Sequence, residues 1–207
     1  MSGARALAPR RTPVQARSAA TVEAILQAAA QVFERHGYAA GTTNRIAERA
    51  GVSIGTLYQY FPNKDAILVA LVEQHVGEGE AILGPLLVEL SEHPPTLGEA
   101  IERVLGALLE LHAAQPGLHR VLFEEAPRPP QLRERLERVF ELASSALAGY
   151  LARAPEATVA DPELAAQLVV QTVEAVTHGL VIHPRTQTSP EVYAREAARM
   201  LLAYLSG

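Results

Sequence analysis

Between positions 43 and 64 the chain reads TNRIAERAGVSIGTLYQYFPNK, a run rich in groups that bond nucleic acid. Thr43, Ser53, Thr56, Tyr58 and Tyr60 offer hydroxyls, Asn44 and Gln59 offer amides, and Arg45 and Lys64 offer cations. Such groups bond phosphate oxygens, and side chains such as Thr56 and Gln59 reach base edges in a major groove. Tyr58 and Tyr60 suit phosphates, and Lys64 suits an ion pair with the DNA backbone. Gly55 and Thr56 are small, which lets a helix that carries them enter the groove. Thr43 is expected to cap the helix it begins and to touch a phosphate.

Chemistry of this kind needs a rigid support, and the same stretch supplies one. Ala47, Gly51 and Leu57 stand at helix-turn-helix spacing. Two helices crossing at a steep angle need a small side chain where they meet, which Ala47 provides. The turn needs a residue tolerant of positive φ, which Gly51 provides. Leu57 pins the second helix, with Ile46, Ala50 and Val52 completing a small core. Ser53 caps that helix and leaves its N-terminal amides facing outward, where its dipole favours phosphate. The alternative is a tight corner in an ordinary helical bundle. Against it, several independent features coincide in one segment that is also basic.

Residues 1–65 carry eight basic and four acidic side chains, whereas the remainder carries ten basic and nineteen acidic. An acidic chain with a basic N-terminal third suggests a polyanion partner at that end alone. The first 17 residues read as a flexible arm holding Arg5, Arg10, Arg11 and Arg17, without the apolar stretch of a secretory signal. Arg10, Arg11 and Arg17 are expected to reach the flanking minor groove or backbone. Cysteine is absent, which excludes disulfides, thiolate zinc sites and Cys nucleophiles, and fits a reducing cytoplasm. No apolar run looks long and clean enough to span a bilayer, so no membrane partner is expected.

The rest of the 207 residues reads as helix, and no β-branched alternation persists. Ser18 is expected to cap a first helix that Gly37 stops. A long fourth helix follows Asn63 and is expected to weaken or bend at Gly77, Gly79 and Gly84-Pro85. Thr96-Leu97-Gly98-Glu99 is a capping box. Pro127-Arg128-Pro129-Pro130 is a stiff connector, and Asp161-Pro162 and Ser189-Pro190 open the last two helices. The fold class is therefore all-α: a three-helix DNA-reading domain at 18–65, followed by a larger helical domain at 66–207.

The segment GTTNRIAERAGVSIGTLYQYFPNKDAIL resembles the DNA-binding signature of the TetR family of regulators, and the likeness extends from Ser18 to about Leu71. The resemblance implies a homodimer that binds double-stranded operator DNA and pairs through its last two helices. It also implies a pocket for a small-molecule effector, with the fourth helix carrying the signal to the DNA-reading heads. Members mostly repress, commonly genes beside their own. By the same resemblance Thr43, Asn44, Arg45, Ser53, Gly55, Thr56, Tyr58, Tyr60 and Lys64 fall on DNA-contacting positions. Asn44 departs from the arginine often found there, which leaves the base preference at that point open.

The C-terminal region carries no ligand signature. His112, His119, Phe123, Tyr150, Gln171, Glu174 and His178 are polar or aromatic residues within apolar helices. Gln171, Glu174 and His178 recur on one helix face, either as the wall of a mostly apolar pocket or as a polar seam at a dimer interface or in solvent. His75 lines a pocket or faces solvent. No cofactor is implied, and no histidines or carboxylates stand at tight metal-ligand spacing. An enzyme is not indicated, because the chain has no nucleophile elbow, phosphate-binding glycine loop or metal triad. A protein-binding adaptor would lack strongly salt-dependent DNA binding.

Overall fold

The computed structural model describes residues 16–93, 95–182 and 189–207. The arm with Arg5, Arg10 and Arg11, and the side chain of Arg17, lie outside this description. Among the described residues all regular structure is helical: α1 (Ala16–Ala40), α2 (Thr43–Ala50), α3 (Ile54–Tyr60), α4 (Lys64–Glu92), α5 (Leu97–Ala113), α6 (Pro116–Arg120), a π-helical turn (Val121–Glu125), α7 (Pro130–Leu151), α8 (Pro162–Ile182) and α9 (Pro190–Ser206).

The chain forms two compact units. The first holds the described residues up to Val76 together with Gly117–Leu132; the second holds Gly77–Pro116 and Arg133–Gly207. In the first unit α1 starts at Ala16, so Ser18 sits inside the helix rather than capping it. Its buried face is Ile25, Leu26, Ala28, Ala29, Val32 and Phe33, at the spacing of one helical stripe. Gly37, at φ 73 and ψ 169, breaks the helical geometry as its sequence position suggests, and one further turn carries the chain to Ala40. The π-helical turn packs against α1, and there Tyr38 N–H donates to Glu125 Oε2 at 3.2 Å.

α4 opens on Asn63, whose Oδ1 accepts from Ala66 N–H at 2.9 Å. It then runs unbroken through Gly77, Gly79, Gly84 and Pro85. Pro85 removes one hydrogen bond, but Ile67, Leu68, Leu71 and Val72 bury the early turns and Leu90 buries a late one, and burial outweighs local propensity.

The second unit is built on Leu97, Ile101 and Leu105 of α5, Leu151 of α7, Ala165, Ala166 and Val169 of α8, and Ala197, Ala198, Leu201 and Leu205 of α9. Alanines where α8 and α9 face this core let the helices approach closely. The expectation that no segment is apolar enough for a bilayer needs correction. α8 spans 21 residues with a mean hydropathy of 1.3 over its most apolar window, which meets that standard by length and composition. The reason lies in packing: α8 covers α5 and α9 with one face and exposes Leu164 and Leu168 on another.

The capping box at α5 forms as its sequence predicts. Glu99 N–H donates to Thr96 Oγ1 at 3.3 Å, and Thr96 N–H donates to Glu99 Oε2 at 3.0 Å. The Thr96 hydroxyl, and then its backbone amide, hold the Glu99 carboxyl below its usual value. A depressed carboxyl contributes stability above its ordinary value and loses it as pH falls through the folded one. Thr96→Ala removes the cap itself and should destabilise the fold at neutral pH. The gap from the parent should narrow as pH falls through the lowered Glu99 value. Urea unfolding across pH reads both.

Candidate nucleic-acid interface

α2 and α3 form the corner that the sequence indicates. Ile46 and Leu57 are fully buried, and Ala47 is buried between them. Gly51 adopts the left-handed conformation at φ 68 and ψ 26, and its N–H reaches the carbonyls of Ala47 and Glu48. Val52 N–H donates to Ala47 O at 3.0 Å and closes the turn. No atom stands within 4 Å of a Cβ added at Gly51, so conformation rather than space requires the glycine.

The cap of α2 is one residue earlier than expected. Thr42 holds the extended conformation at φ −85 and ψ 153, and its hydroxyl accepts from Arg45 N–H at 3.3 Å. Thr43 is already helical, and its Oγ1 lies 3.1 Å from the Tyr58 hydroxyl. This hydrogen bond ties the first turn of α2 to the outward side of α3. Ser53 caps α3 as predicted, accepting from Thr56 N–H at 3.0 Å, while the two hydroxyls lie 2.8 Å apart.

The outward face of this corner carries Asn44, Arg45, Ser53, Gly55, Tyr58 and Gln59, all exposed, with Thr43, Thr56 and Tyr60 half-buried at its margin. Tyr58 is 41% exposed and Ile54 38%. Arg45 donates to Ala40 O at 2.9 Å, and Arg49 donates from Nε to Gln31 Oε1 at 2.6 Å, so both arginines brace α2 against α1. Lys64 lies behind the corner. Its ammonium donates to Tyr38 O at 2.6 Å and Ala39 O at 3.4 Å, and sits 4.0 Å above the Tyr38 ring. The Tyr38 hydroxyl donates to the buried Asp65 carboxylate.

The ligand candidates divide between the units. In the second, His112 and His178 bring their rings edge to face at 5.3 Å, and His112 Nδ1 lies 2.6 Å from Leu108 O. Tyr150 donates to Pro95 O at 3.4 Å, and burial, then the Glu156 charge, pushes its hydroxyl above the usual value. Gln171 and Glu174 are exposed and His178 is half-buried in the single chain. In the first unit His119 is buried against Phe123, their centroids 4.3 Å apart, beside His75, whose imidazole burial holds below its usual value.

Residues 96–205 match a family profile described as the tetracyclin repressor-like C-terminal domain, more than half of the chain, and residues 25–71 match that of bacterial regulatory proteins of the tetR family. The chain belongs to the TetR family. This TetR-family chain is 36% identical over 122 residues to a nucleoid occlusion factor, SlmA, of Vibrio atlanticus, covering 58% of the chain and 60% of that relative. It thus spans less than two thirds of the relative it matches.

Among solved structures, the TetR-family chain is similar to a putative TetR-family regulator from Mesorhizobium loti. The TM-score is 0.72 and the identity 22%, over 93% of this chain and all of that one. It is also similar to the regulator FadR of Bacillus subtilis in complex with stearoyl-CoA, with a TM-score of 0.69 and 24% identity over 87% of this chain and 97% of that one. These likenesses establish the TetR fold.

Sequence reasoning missed the cap at Thr42, the Arg49–Gln31 brace and the Lys64–Tyr38–Asp65 cluster. The pair Thr42-Thr43 held a signal for the first, since either threonine suits an N-cap. The other two join residues on different helices, and nothing local marks them.

Proposed function

We propose that this chain is a ligand-responsive transcription regulator, a repressor that binds a palindromic operator as a homodimer and leaves it when a small lipophilic effector binds. The observation that carries the reading is the capped α3 with Gly55, Thr56, Tyr58 and Gln59 on its outward side, braced by α2. In this reading Thr56 and Gln59 meet base edges, Thr43, Asn44, Arg45, Ser53, Tyr58 and Tyr60 position the backbone, and Lys64 turns from the α1 carbonyls to a phosphate. Residues 18–65 are the DNA-reading domain and 66–207 the effector and dimerisation domain; no catalytic role and no cofactor are assigned. A cytoplasmic location follows from a DNA target.

Pairing through α8 and α9 is supported by the apolar surface they leave uncovered: Leu164, Leu168, Val192, Met200 and Tyr204 are 42–53% exposed in the single chain. The effector is assigned to the apolar C-terminal region, with His112, His178 and Tyr150 as its polar handles. Phe61, fully buried, links α3 to α4 through Phe61-Pro62-Asn63, so a shift of α4 moves the reading helix.

Release of DNA requires an effector that prefers the non-binding conformer; a preference of about 3 kcal/mol gives a more than hundredfold change. The stearoyl-CoA complex of the similar regulator supports an acyl-chain probe. Stearoyl-CoA added to the protein on its own upstream duplex should weaken binding at least tenfold. Tight binding of the probe with unchanged DNA affinity would contradict this coupling.

A further inference from the structure

His119 is one of only four polar or charged residues described as buried, and it is 2% exposed. It sits on α6, directly before the π-helical turn that packs on α1. The half-buried His75 of α4 faces it, with ring centroids 5.1 Å apart and ring planes at 61°. The ring of Phe123 lies against both, 4.3 Å from His119 and 6.2 Å from His75. An imidazole is a costly residue to bury for packing alone, because a leucine or phenylalanine fills the same space without desolvating two nitrogens. Neither histidine takes part in the DNA-reading face.

The ring nitrogens of the two residues lie within 4.8 Å of each other. Two imidazole nitrogens each bonded to one metal ion at about 2.0–2.1 Å stand about 3.3 Å apart. Closing the remaining gap requires at most about 1.5 Å of movement. Rotation of the His75 ring, on the half-buried side of the pair, supplies it without disturbing the covered His119. The ring of Phe123 shields the pair from water on one side, as the apolar shell of a metal centre does.

We propose that His75 and His119 form a binding site for a divalent transition-metal ion of the zinc, cobalt or nickel type, which pins α4 to α6 within the unit that carries the reading helix. Imidazole nitrogen selects these ions over magnesium and calcium, which prefer oxygen. Two protein nitrogens leave coordination positions open for water or for a donor atom of a bound small molecule. Spacing along the chain shows nothing of this, because the two histidines are far apart in sequence. An ion held only by the folded form stabilises it by mass action, so the site adds a metal input to the regulator.

The test uses the untagged full-length protein, stripped with a chelator and titrated with Co²⁺, whose visible absorption reports nitrogen ligation. One ion per chain is expected, with X-ray absorption showing at least two imidazole nitrogens. Zn²⁺ should displace it and raise the melting temperature. His75→Ala should weaken Co²⁺ binding at least tenfold. His75 is half-buried, so this variant should keep its helical signal; His119→Gln provides a second variant, read only if that signal survives. His36→Ala, at an exposed histidine elsewhere in the same unit, should bind as the parent does. Absence of Co²⁺ and Zn²⁺ binding, or binding that is unchanged in His75→Ala, would overturn the proposal.

Discussion

Tyr58→Ala should weaken operator binding about a hundredfold while leaving the fold intact. The Tyr58 side chain is 41% exposed, and the one hydrogen bond described for it, to Thr43 Oγ1, is on the surface. Removing such a group from the free protein changes stability by less than about 0.5 kcal/mol. On DNA the same hydroxyl would contact a charged phosphate, and a hydrogen bond to a charged group contributes about 1.5 kcal/mol or more. A two-fold dimer loses this contact at both half-sites. The combined loss of about 3 kcal/mol is about two powers of ten in affinity. Tyr58→Phe keeps the ring and should lose most of the same affinity, because the hydroxyl makes the contact. Fluorescence anisotropy on a labelled duplex reads both variants, and thermal unfolding checks that they fold.

Gly41→Ala should have the largest effect on stability of any single methyl added to the DNA-reading unit. Gly41 is buried where α1 turns into α2, and its amide donates to Gly37 O at 3.0 Å. A Cβ built there would lie 2.4 Å from Phe33 Cδ1 and 3.0 Å from Gly37 O. Phe33 is fully buried and cannot swing aside, so the added methyl must displace the α1–α2 joint. Overpacking of this kind costs about 2 kcal/mol. In a chain of this size that lowers the melting temperature by about 4–8 °C. Gly51→Ala is the contrast. It meets no atom within 4 Å, and its cost is that of placing a side chain at φ 68, about 1 kcal/mol. Equal destabilisation by the two substitutions would contradict this separation of crowding from conformation.

The helix-turn-helix was legible in the sequence because its requirements are local. The small Ala47, the left-handed Gly51, the pinning Leu57 and the Ser53 cap lie within a few residues of one another, and each has a physical reason for its position. The capping box at Thr96 was legible on the same grounds. The first and fourth helices were less so. A cap sequence at Ser18 did not fix where α1 begins, and α4 continues through its glycines and Pro85, where buried side chains before and after them outweigh local propensity.

The links between helices were not legible. Lys64 bonds a carbonyl 26 residues away, and Tyr38 reaches Asp65 across 27. His75 meets His119 although the two stand far apart in sequence, because the fold places both in one unit. The face of Gln171, Glu174 and His178 shows the converse limit. Helical spacing aligned three polar residues, but packing left two of them exposed and the third half-buried. The DNA face could be read before folding because it is presented by one short corner; an effector cavity draws its lining from several helices and could not.

The central claim is that α3 reads duplex DNA. Its most direct test is equilibrium binding of the purified protein to the duplex upstream of its own gene and to a scrambled duplex of equal length, over a series of salt concentrations. The account predicts tighter binding to the upstream duplex, centred on an inverted repeat, with the logarithm of affinity falling linearly as the logarithm of salt rises. Equal affinity for both duplexes, or affinity indifferent to salt, would contradict it.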